Sequence, residues 1–298
     1  MNRLRKIALV IALVLGFQSV SGLAQEDDAT ALSRAKEALG REDYALAAQD
    51  LQPLVERGND LAALLLGHMY LDGKGVSKDI ERGTQLVSKS TDGGNASIQL
   101  FVGEFYLNGL KVPRNERKAY PYLLASAEQG LPEAQFTLGV LLDPGLFEMG
   151  TKEISYVGRP NVPTEESLPK SGPLSFMWYK RAADQGLAEA QFNVAIAFKE
   201  GKGTPVHKLQ AFRYFRLAAL QGHDRAQNNL GAMYVKGDPI PRDLLKAYVL
   251  FSLAAATDLN MAERNRNEIA KELDISQQNR GDELAAQCLA TKYANCKI

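Results

Sequence analysis

A period of 36 residues constrains the fold of this chain more than any other feature of its sequence. Glycines that can close a structural unit recur at steps of 36, 36, 56 and 36 residues, and a second, independent set has the same steps. The first set is Gly58, Gly94, Gly130, Gly186 and Gly222, and the second is Gly73, Gly109, Gly145, Gly201 and Gly237. Agreement between the two sets predicts a repeat architecture, in which each unit buries its apolar face against its neighbours.

Within one unit the apolar residues recur with helical spacing. Between Ala190 and Phe198 they lie at i, i+4, i+5 and i+8, and a second stripe runs from Ala211 to Ala219 with spacings of three and four. Gly201–Gly203 tolerates the positive φ of a helix C-terminus, and Pro205 prevents the first helix from continuing. Each unit is therefore predicted to be a hairpin of two helices.

Two further positions of the repeat have predicted structural roles. Small residues recur in the first helix, where they allow a neighbouring helix to approach closely. These are Gly67, Gly103, Gly139, Ala195 and Gly231. Another position lies just before each second helix and holds Asp79, Asn115, Ser171, His207 and Asp243. Four of these five are common N-cap residues, whereas His207 is predicted to be a surface residue.

Several segments of the chain resemble the Sel1-like repeat, which is related to the tetratricopeptide repeat and has about 36 residues per unit. One is Ala226–Tyr234 with Gly237 and Ala254–Ala255 after it, and the others are Ala62–Val76 and Trp178–Gly186. The resemblance implies an all-α fold, a right-handed α/α solenoid of helix hairpins with capping helices at both ends. It also implies an adaptor role in bacterial envelope or signalling complexes.

The first 24 residues have the pattern of a secretory signal peptide. Arg3, Arg5 and Lys6 precede an apolar run from Ile7 to Leu15, and small residues end the segment at Ala24. No later segment approaches the ~20 apolar residues of a membrane helix. Cleavage after Ala24 predicts a periplasmic or secreted protein with no transmembrane segment in the mature chain. An uncleaved N-terminal anchor is the alternative.

The period divides the remaining chain into three parts. Residues 25–58 are predicted to form an N-terminal capping hairpin, with Asp43 capping its second helix. Residues 59–260 form the repeats, with about 20 inserted residues within 146–172, and residues 261–298 form C-terminal capping helices. The last of these helices is predicted to run from Ser276 to Leu289. Capping helices with polar outer faces are expected at both ends, because they keep a repeat protein soluble.

Charge and cysteine content restrict the class of partner and the compartment. Without residues 1–24 the chain has a net charge of −3, so it lacks the excess of positive charge that is typical of nucleic-acid-binding proteins.

Cys288 and Cys296 are the two cysteines of the chain, and export permits a disulfide between them. Eight residues of helix would hold their Cα atoms ~12 Å apart, so a bridge requires the last helix to stop near 293–295 and the tail to fold back. Two unpaired thiols are the alternative.

The sequence has no complete catalytic or cofactor-binding motif, which favours a protein that is not an enzyme and holds no cofactor. The histidines His68, His207 and His223 lack metal-ligand spacing, so each is predicted to be a surface or hairpin-end residue. Ser33–Lys36 matches the SxxK pattern of penicillin-interacting enzymes, and Lys170–Gly172 resembles their KTG element. A cell-wall-directed or β-lactam-interacting hydrolase or ligand-binding protein is therefore an alternative, as is a self-associating structural organiser.

The candidate binding residues lie on the first helices and in the insertion, and the expected partner is another periplasmic or envelope protein or peptide. Side-chain amides at two positions suit a peptide backbone, although they also suit hydrogen bonds between adjacent repeats. They are Gln99, Gln135, Gln191 and Gln227 at one position and Asn193 and Asn229 at another, with His68, Phe101 and Glu104 as specificity residues. Phe147 and Tyr156 in the insertion are candidate anchors, unless the insertion is only a tolerated surface loop.

Overall fold

A computed structural model describes residues 23–144, 170–257, 260–294 and 296, and within these ranges the protein has fourteen α-helices and no β-strand. The side chains of the first helix are described from Asp28 onward. The helices are α1 (Leu23–Gly40), α2 (Tyr44–Glu56), α3 (Asp60–Asp72), α4 (Ile80–Lys89), α5 (Ala96–Asn108), α6 (Glu116–Glu128), α7 (Pro132–Leu142), α8 (Gly172–Asp184), α9 (Ala188–Glu200), α10 (Lys208–Ala219), α11 (Asp224–Lys236), α12 (Leu244–Ala255), α13 (Asn260–Ala270) and α14 (Ile275–Ala290). The prediction of an all-α fold is confirmed.

The described residues up to Ala134 belong to a first compact unit. Its helices pack as the hairpins α1/α2, α3/α4 and α5/α6, and α2 also packs on α3. Leu51, Leu54 and Leu66 are among the buried side chains that join the first two hairpins. Asp43 accepts the Leu46 N–H at 3.2 Å and caps α2, as predicted.

The residues from Gln135 onward belong to a second compact unit. Here α9 and α10 form one hairpin and α11 and α12 the next, while α8 packs on α9 and α10 on α11. Phe215, Leu230 and Phe251 lie at the centre of this core. Both α13 and α14 pack on α12, so the apolar surface of the last complete hairpin is covered by two helices.

The residue before each second helix is its N-cap at all five repeat positions, as predicted for four of them. Asp79, Asn115, Ser171 and Asp243 each accept a backbone N–H from the first turn of the helix that follows. The prediction that excluded His207 from this set was wrong. His207 is exposed, but its Nδ1 accepts the Gln210 N–H at 3.4 Å, because a neutral imidazole has one nitrogen that can act as an acceptor.

The small residues of the first helices lie where the two helices of a hairpin approach closely, as predicted. A Cβ added to Gly67 would lie 3.0 Å from both the Gly83 carbonyl oxygen and the Val87 backbone nitrogen. At the equivalent position of a later repeat, a Cβ on Gly231 would lie 2.8 Å from the ring of Phe251. Glycine at these positions lets the second helix, or one large side chain from it, contact the first helix directly.

The C-terminal tail folds back on the second unit through a disulfide. Cys288 and Cys296 are bonded, with their Cα atoms 4.6 Å apart. The last helix stops at Ala290, one residue after its predicted end at Leu289 and before the 293–295 expected for a bridge, because Lys292 and Tyr293 adopt positive φ values of 47° and 67° and reverse the chain. The ring of Tyr293 packs against Gly222, in the turn between α10 and α11.

Two other sequence expectations concern the ends of the chain. The first helix of the predicted capping hairpin is α1, which runs without a break from Leu23 to Gly40 because no glycine or proline interrupts it before Gly40. The last helix runs from Ile275, one residue before the predicted start, and is capped by Asp274 and Gln277 in a capping box. Across the described part of the chain, no helix is long and apolar enough to cross a membrane.

Candidate partner-binding site

The predicted glutamines form hydrogen bonds between the helices of the repeat stack. In the first unit, the Gln129 amide donates to Gln99 Oε1 at 2.7 Å and to the Gly94 carbonyl at 2.9 Å. In the second unit, Gln185 donates to Gln135 at 2.8 Å. Each pair joins a glutamine at the end of a second helix to a glutamine of a first helix. The bonds between two glutamines lie within one hairpin, whereas the bond from Gln129 to Gly94 reaches the preceding repeat and is of the kind between adjacent repeats that the sequence left open.

The same pairing recurs at Gln191, which accepts from the Gln221 amide at 2.8 Å and donates to the Ala183 carbonyl at 3.3 Å. Gln135 and Gln191 are buried, so their amides are enclosed by the protein. We call these contacts the glutamine pairs. They place the predicted glutamines among the groups that hold the stack together.

The series of glutamine pairs stops at Gln227. This side chain is completely buried and donates to the Ala219 carbonyl at 3.1 Å, but its Oε1 atom has no hydrogen-bond partner among the described residues. The position that holds Gln221 one repeat earlier holds Thr257, whose hydroxyl donates to the Ala254 carbonyl at 2.8 Å. A threonine side chain is too short to replace the glutamine donor.

The two predicted asparagines differ in their hydrogen bonding. Asn229 donates to the Arg225 carbonyl at 2.9 Å and accepts from the Lys199 ammonium group at 3.0 Å. Asn193 occupies the same position one repeat earlier and is half-buried, and its amide has no hydrogen-bond partner in the described parts of the chain. Asn193 therefore offers both a donor and an acceptor to a ligand.

His68 lies within α3, where it is half-buried and packed among aromatic rings of the first unit, so the hairpin-end position predicted as one alternative was wrong for this residue. Its ring lies 5.1 Å from that of Phe101 and 6.1 Å from that of Phe105, with edge-to-face geometry. Burial lowers the pKa of His68, although Asp72 opposes that effect. The Nε2 atom has no hydrogen-bond partner within the described residues. Glu104, one helical turn after Phe101, is half-buried on the same helix.

The remaining sequence candidates divide between described and undescribed residues. Phe147 and Tyr156 lie outside the described residues. The Lys170 ammonium group donates to the Leu141 carbonyl, and Ser171 caps α8, so both have structural roles. Burial lowers the pKa of Lys36, in the SxxK pattern on α1. No cluster of three or more potential metal ligands occurs in the part of the chain that the structure describes.

One position of the first helices differs chemically from repeat to repeat. It lies two residues after the glutamine-pair position, and we call it the variable position. It holds Leu65, Phe101, Thr137, Asn193 and Asn229. Thr137 is buried, and the other four side chains are half-buried. Sequence periodicity alone could have located this position as the one where the repeats disagree.

The repeats match a known family model. The Sel1 repeat model matches residues 60–95, 96–131, 165–187, 188–223 and 224–256, which together make up more than half of the chain. The chain belongs to the Sel1 repeat family. Sel1 repeat proteins are typically helical, non-enzymatic scaffolds that bind other proteins. The third match, residues 165–187, covers mainly α8, the second helix of its hairpin. In the structure the first helix of this hairpin is α7, and Gly139 of α7 lies against the ring of Tyr179 on α8.

Two solved structures are similar to this Sel1 repeat chain. A Sel1 repeat protein from Oxalobacter formigenes has a TM-score of 0.59 and 22% identity, with 86% of this chain and 99% of that one covered. The protein c5321 of uropathogenic Escherichia coli, a protective antigen with an SLR fold, has a TM-score of 0.50 and 28% identity, with 84% of this chain covered. This chain spans only 57% of the length of c5321. No curated protein matches the chain.

Proposed function

We propose that this protein is an exported Sel1 repeat scaffold that binds another protein or peptide of the bacterial periplasm or cell envelope. The main support is the contrast between two neighbouring positions of the first helices. The glutamine-pair position is used internally, as at Gln99 and Gln191, whereas the variable position presents half-buried side chains of different chemistry, as at Phe101 and Asn193. A position whose glutamines bond internally in three repeats, next to a position that varies in chemistry, suits a recognition scaffold.

Recognition by this scaffold uses preformed helices. The caps, the close helix contacts and the glutamine pairs fix the positions of the side chains before a partner arrives. Binding therefore orders few groups of the scaffold, and less of the interaction free energy is lost to conformational entropy. His68 and Phe101 supply an aromatic surface in the first unit, and Asn193 supplies a polar one in the second.

Site-specific photocrosslinking in cells tests the proposal. A photoreactive phenylalanine analogue replaces Phe101 in one variant and Asn193 in another, and exposed Arg213 on the second helix α10 in a control. We expect one dominant protein to be crosslinked from the variable position and not from Arg213. The same crosslinked proteins from all three positions, or none from any, would contradict a specific scaffold.

A deletion variant assigns the role of the insertion in the same experiment. The variant lacks Phe147 to Ser167, which removes both predicted anchors. Loss of the crosslinked partner would place part of its recognition site in the insertion. Retention of the partner would leave recognition to the first helices and make the insertion a tolerated loop.

Export is the second part of the proposal. Arg3, Arg5, Lys6 and the apolar run that follows support it, and the disulfide between Cys288 and Cys296 suits an oxidising compartment. Intact mass measurement of the periplasmic fraction should find a chain that begins at Gln25. A full-length chain that stays in the membrane fraction would show an N-terminal anchor instead.

A further inference from the structure

The second unit contains an apolar cavity between α8, α9 and the two residues that follow α7, with a volume of about 160 Å³. Phe176 and Tyr179 of α8 and Ile196 and Ala197 of α9 form its walls, and exposed Pro144 lies at its rim. No side chain of the described residues fills this apolar space, so its walls lack the dispersion contacts that a side chain would make there. The cavity is therefore a site that a suitable ligand group would fill favourably.

The cavity exists because one repeat has a small residue where the others have a large one. Ala197 occupies this position in the fourth repeat. The equivalent residues of the other repeats are Met69, Phe105, Leu141 and Met233. Met69, Phe105 and Leu141 are buried, and Met69 belongs to the core cluster that joins its hairpin to the preceding one. Ala197 is also buried but has only a methyl group, and the space that remains is open at the rim.

The rim of the cavity has an unused hydrogen-bonding group. Asn193 lines the cavity and is the variable-position amide that has no partner among the described residues. The charged side chains beside it are of opposite sign, Asp143 and Lys202. Lys202 forms an ion pair with Glu200 at 3.0 Å, and Asp143 Oδ2 accepts the Tyr179 hydroxyl at 3.2 Å. An uncharged group with a hydrogen-bonding edge fits this environment best.

We propose that the cavity binds one aromatic side chain of a partner polypeptide, while the Asn193 amide bonds to the adjacent peptide group. An apolar protein cavity of roughly 150 Å³ accepts a benzene ring, which sets the size of the group. Sites for small-molecule ligands are typically larger, at about 300–1,000 Å³, so one anchoring side chain is the better match. This inference rests on the proposed scaffold function and identifies the feature of the partner that is recognised.

The direct test is an NMR titration of the full mature chain with N-acetyl-L-phenylalaninamide, which combines one ring with two amide groups. We expect the largest chemical shift changes at Phe176, Asn193 and Ile196, and no comparable change with N-acetyl-L-alaninamide. Ala197→Met introduces the residue that Met233 supplies in the next repeat, so it should fill the cavity without disturbing the fold. We expect it to weaken binding at least tenfold.

Ala232→Met is the matched control, because Ala232 lies on α11 and is exposed. The same substitution there should leave binding unchanged. Asn193→Ala should weaken binding of the amide probe roughly three- to tenfold, the value of one hydrogen bond, and leave the binding of benzene unchanged. If Ala197→Met proves unstable, the comparison of the two amides and the Asn193→Ala variant still decide the question.

Three results would overturn the cavity proposal. One is equal binding of the amide probe to the wild type and to Ala197→Met. Another is binding of benzene with no binding of the amide, which would indicate a site for a free aromatic molecule. The third is binding only after Phe147→Ala and Tyr156→Ala, which would mean that a ring of the chain itself fills the site. Crosslinking from the Phe101 position would persist in all three cases if the scaffold function alone is correct.

Discussion

His223 shows how one side chain can combine two stabilising contacts. Its Nδ1 atom accepts the Ala226 N–H at 3.2 Å and caps α11, and its ring stacks on Phe192 with centroids 4.6 Å apart. Asn59 and Asn95 provide the equivalent caps of α3 and α5. Burial lowers the pKa of His223, with Asp224 and Glu189 opposing the shift and Arg225 adding to it. The folded protein therefore favours the neutral ring that the cap requires.

The stability of the second unit should decrease as the pH falls below the ordinary histidine value of 6.5. Because the folded-state pKa of His223 is the lower one, the unfolded chain binds its proton first, and protonation then favours unfolding. His223→Asn keeps a capping side chain that does not titrate in this range. We expect urea unfolding at pH 8 and at pH 5 to show a smaller loss of stability in the variant, by about 1 kcal/mol, the value of one cap.

The comparison between variant and wild type isolates His223 from the other groups that titrate, among them His68. Both proteins share those groups, so their contributions cancel in the difference. An equal loss of stability in the two proteins would show that the His223 cap does not depend on its charge.

Single residues also show what the sequence could and could not reveal. The caps at Asp79, Asn115, Ser171 and Asp243 were predictable because their side chains are common acceptors at helix starts. His207 was missed, since histidine is not a typical N-cap and its role depends on which nitrogen faces the helix. The cavity at Ala197 was missed as well, although the period aligns Ala197 with larger residues in every other repeat and contains the signal.

At the scale of helices, the packing of α3 on α4 depends on two glycines that face each other. A Cβ on Gly83 would lie 2.7 Å from the Leu71 side chain and 2.8 Å from the Gly67 carbonyl oxygen. A Cβ on Gly67 would meet the backbone of α4 in turn. The hairpin therefore has no room for a methyl group at this contact.

Gly67→Ala should destabilise the first unit by about 1–3 kcal/mol, because the helices must separate to accept the methyl group. Gly40→Ala is the matched control at the end of α1, where an added Cβ has no neighbour within 4 Å. There the restricted unfolded chain should give a gain of about 0.4–1 kcal/mol. Thermal unfolding of the two variants measures both effects. Equal changes would show that the close approach of α3 and α4 does not limit stability.

Helix positions were largely predictable, whereas some helix partners were not. The period located the hairpins, and glycine and proline located their turns. The expected C-terminal caps are present as α13 and α14, but their common packing on α12 depends on side-chain shape. Gly281 of α14, for example, lies against the ring of Tyr248. No local pattern in residues 261–298 encodes that contact.

At the scale of the whole molecule, the disulfide ties the last residues of the chain to the core of the second unit. Cys288 is buried in that core, and the loop that it closes with Cys296 holds Tyr293 against Gly222. The crosslink restricts the unfolded chain, and in the folded protein it holds the tail against the turn between α10 and α11.

Replacement of both cysteines by serine should lower the stability of the second unit by about 2 kcal/mol, in line with the short loop that the bridge closes. Urea unfolding with and without a reducing agent measures the effect. Reduction should bring the wild type close to the double variant and leave the variant itself unchanged. A wild type whose unfolding does not respond to reduction would show that the bridge has no stabilising role.

The glutamine pairs also bear on how this protein can be altered. Gln99 and Gln129 are 30 residues apart, as are Gln191 and Gln221, yet Gln135 and Gln185 form the same contact across 50 residues. The hydrogen bond is therefore indifferent to the length of chain between α7 and α8. We therefore expect a reporter or an epitope that is inserted at this junction to leave the register of the flanking helices unchanged, whatever the insertion itself binds.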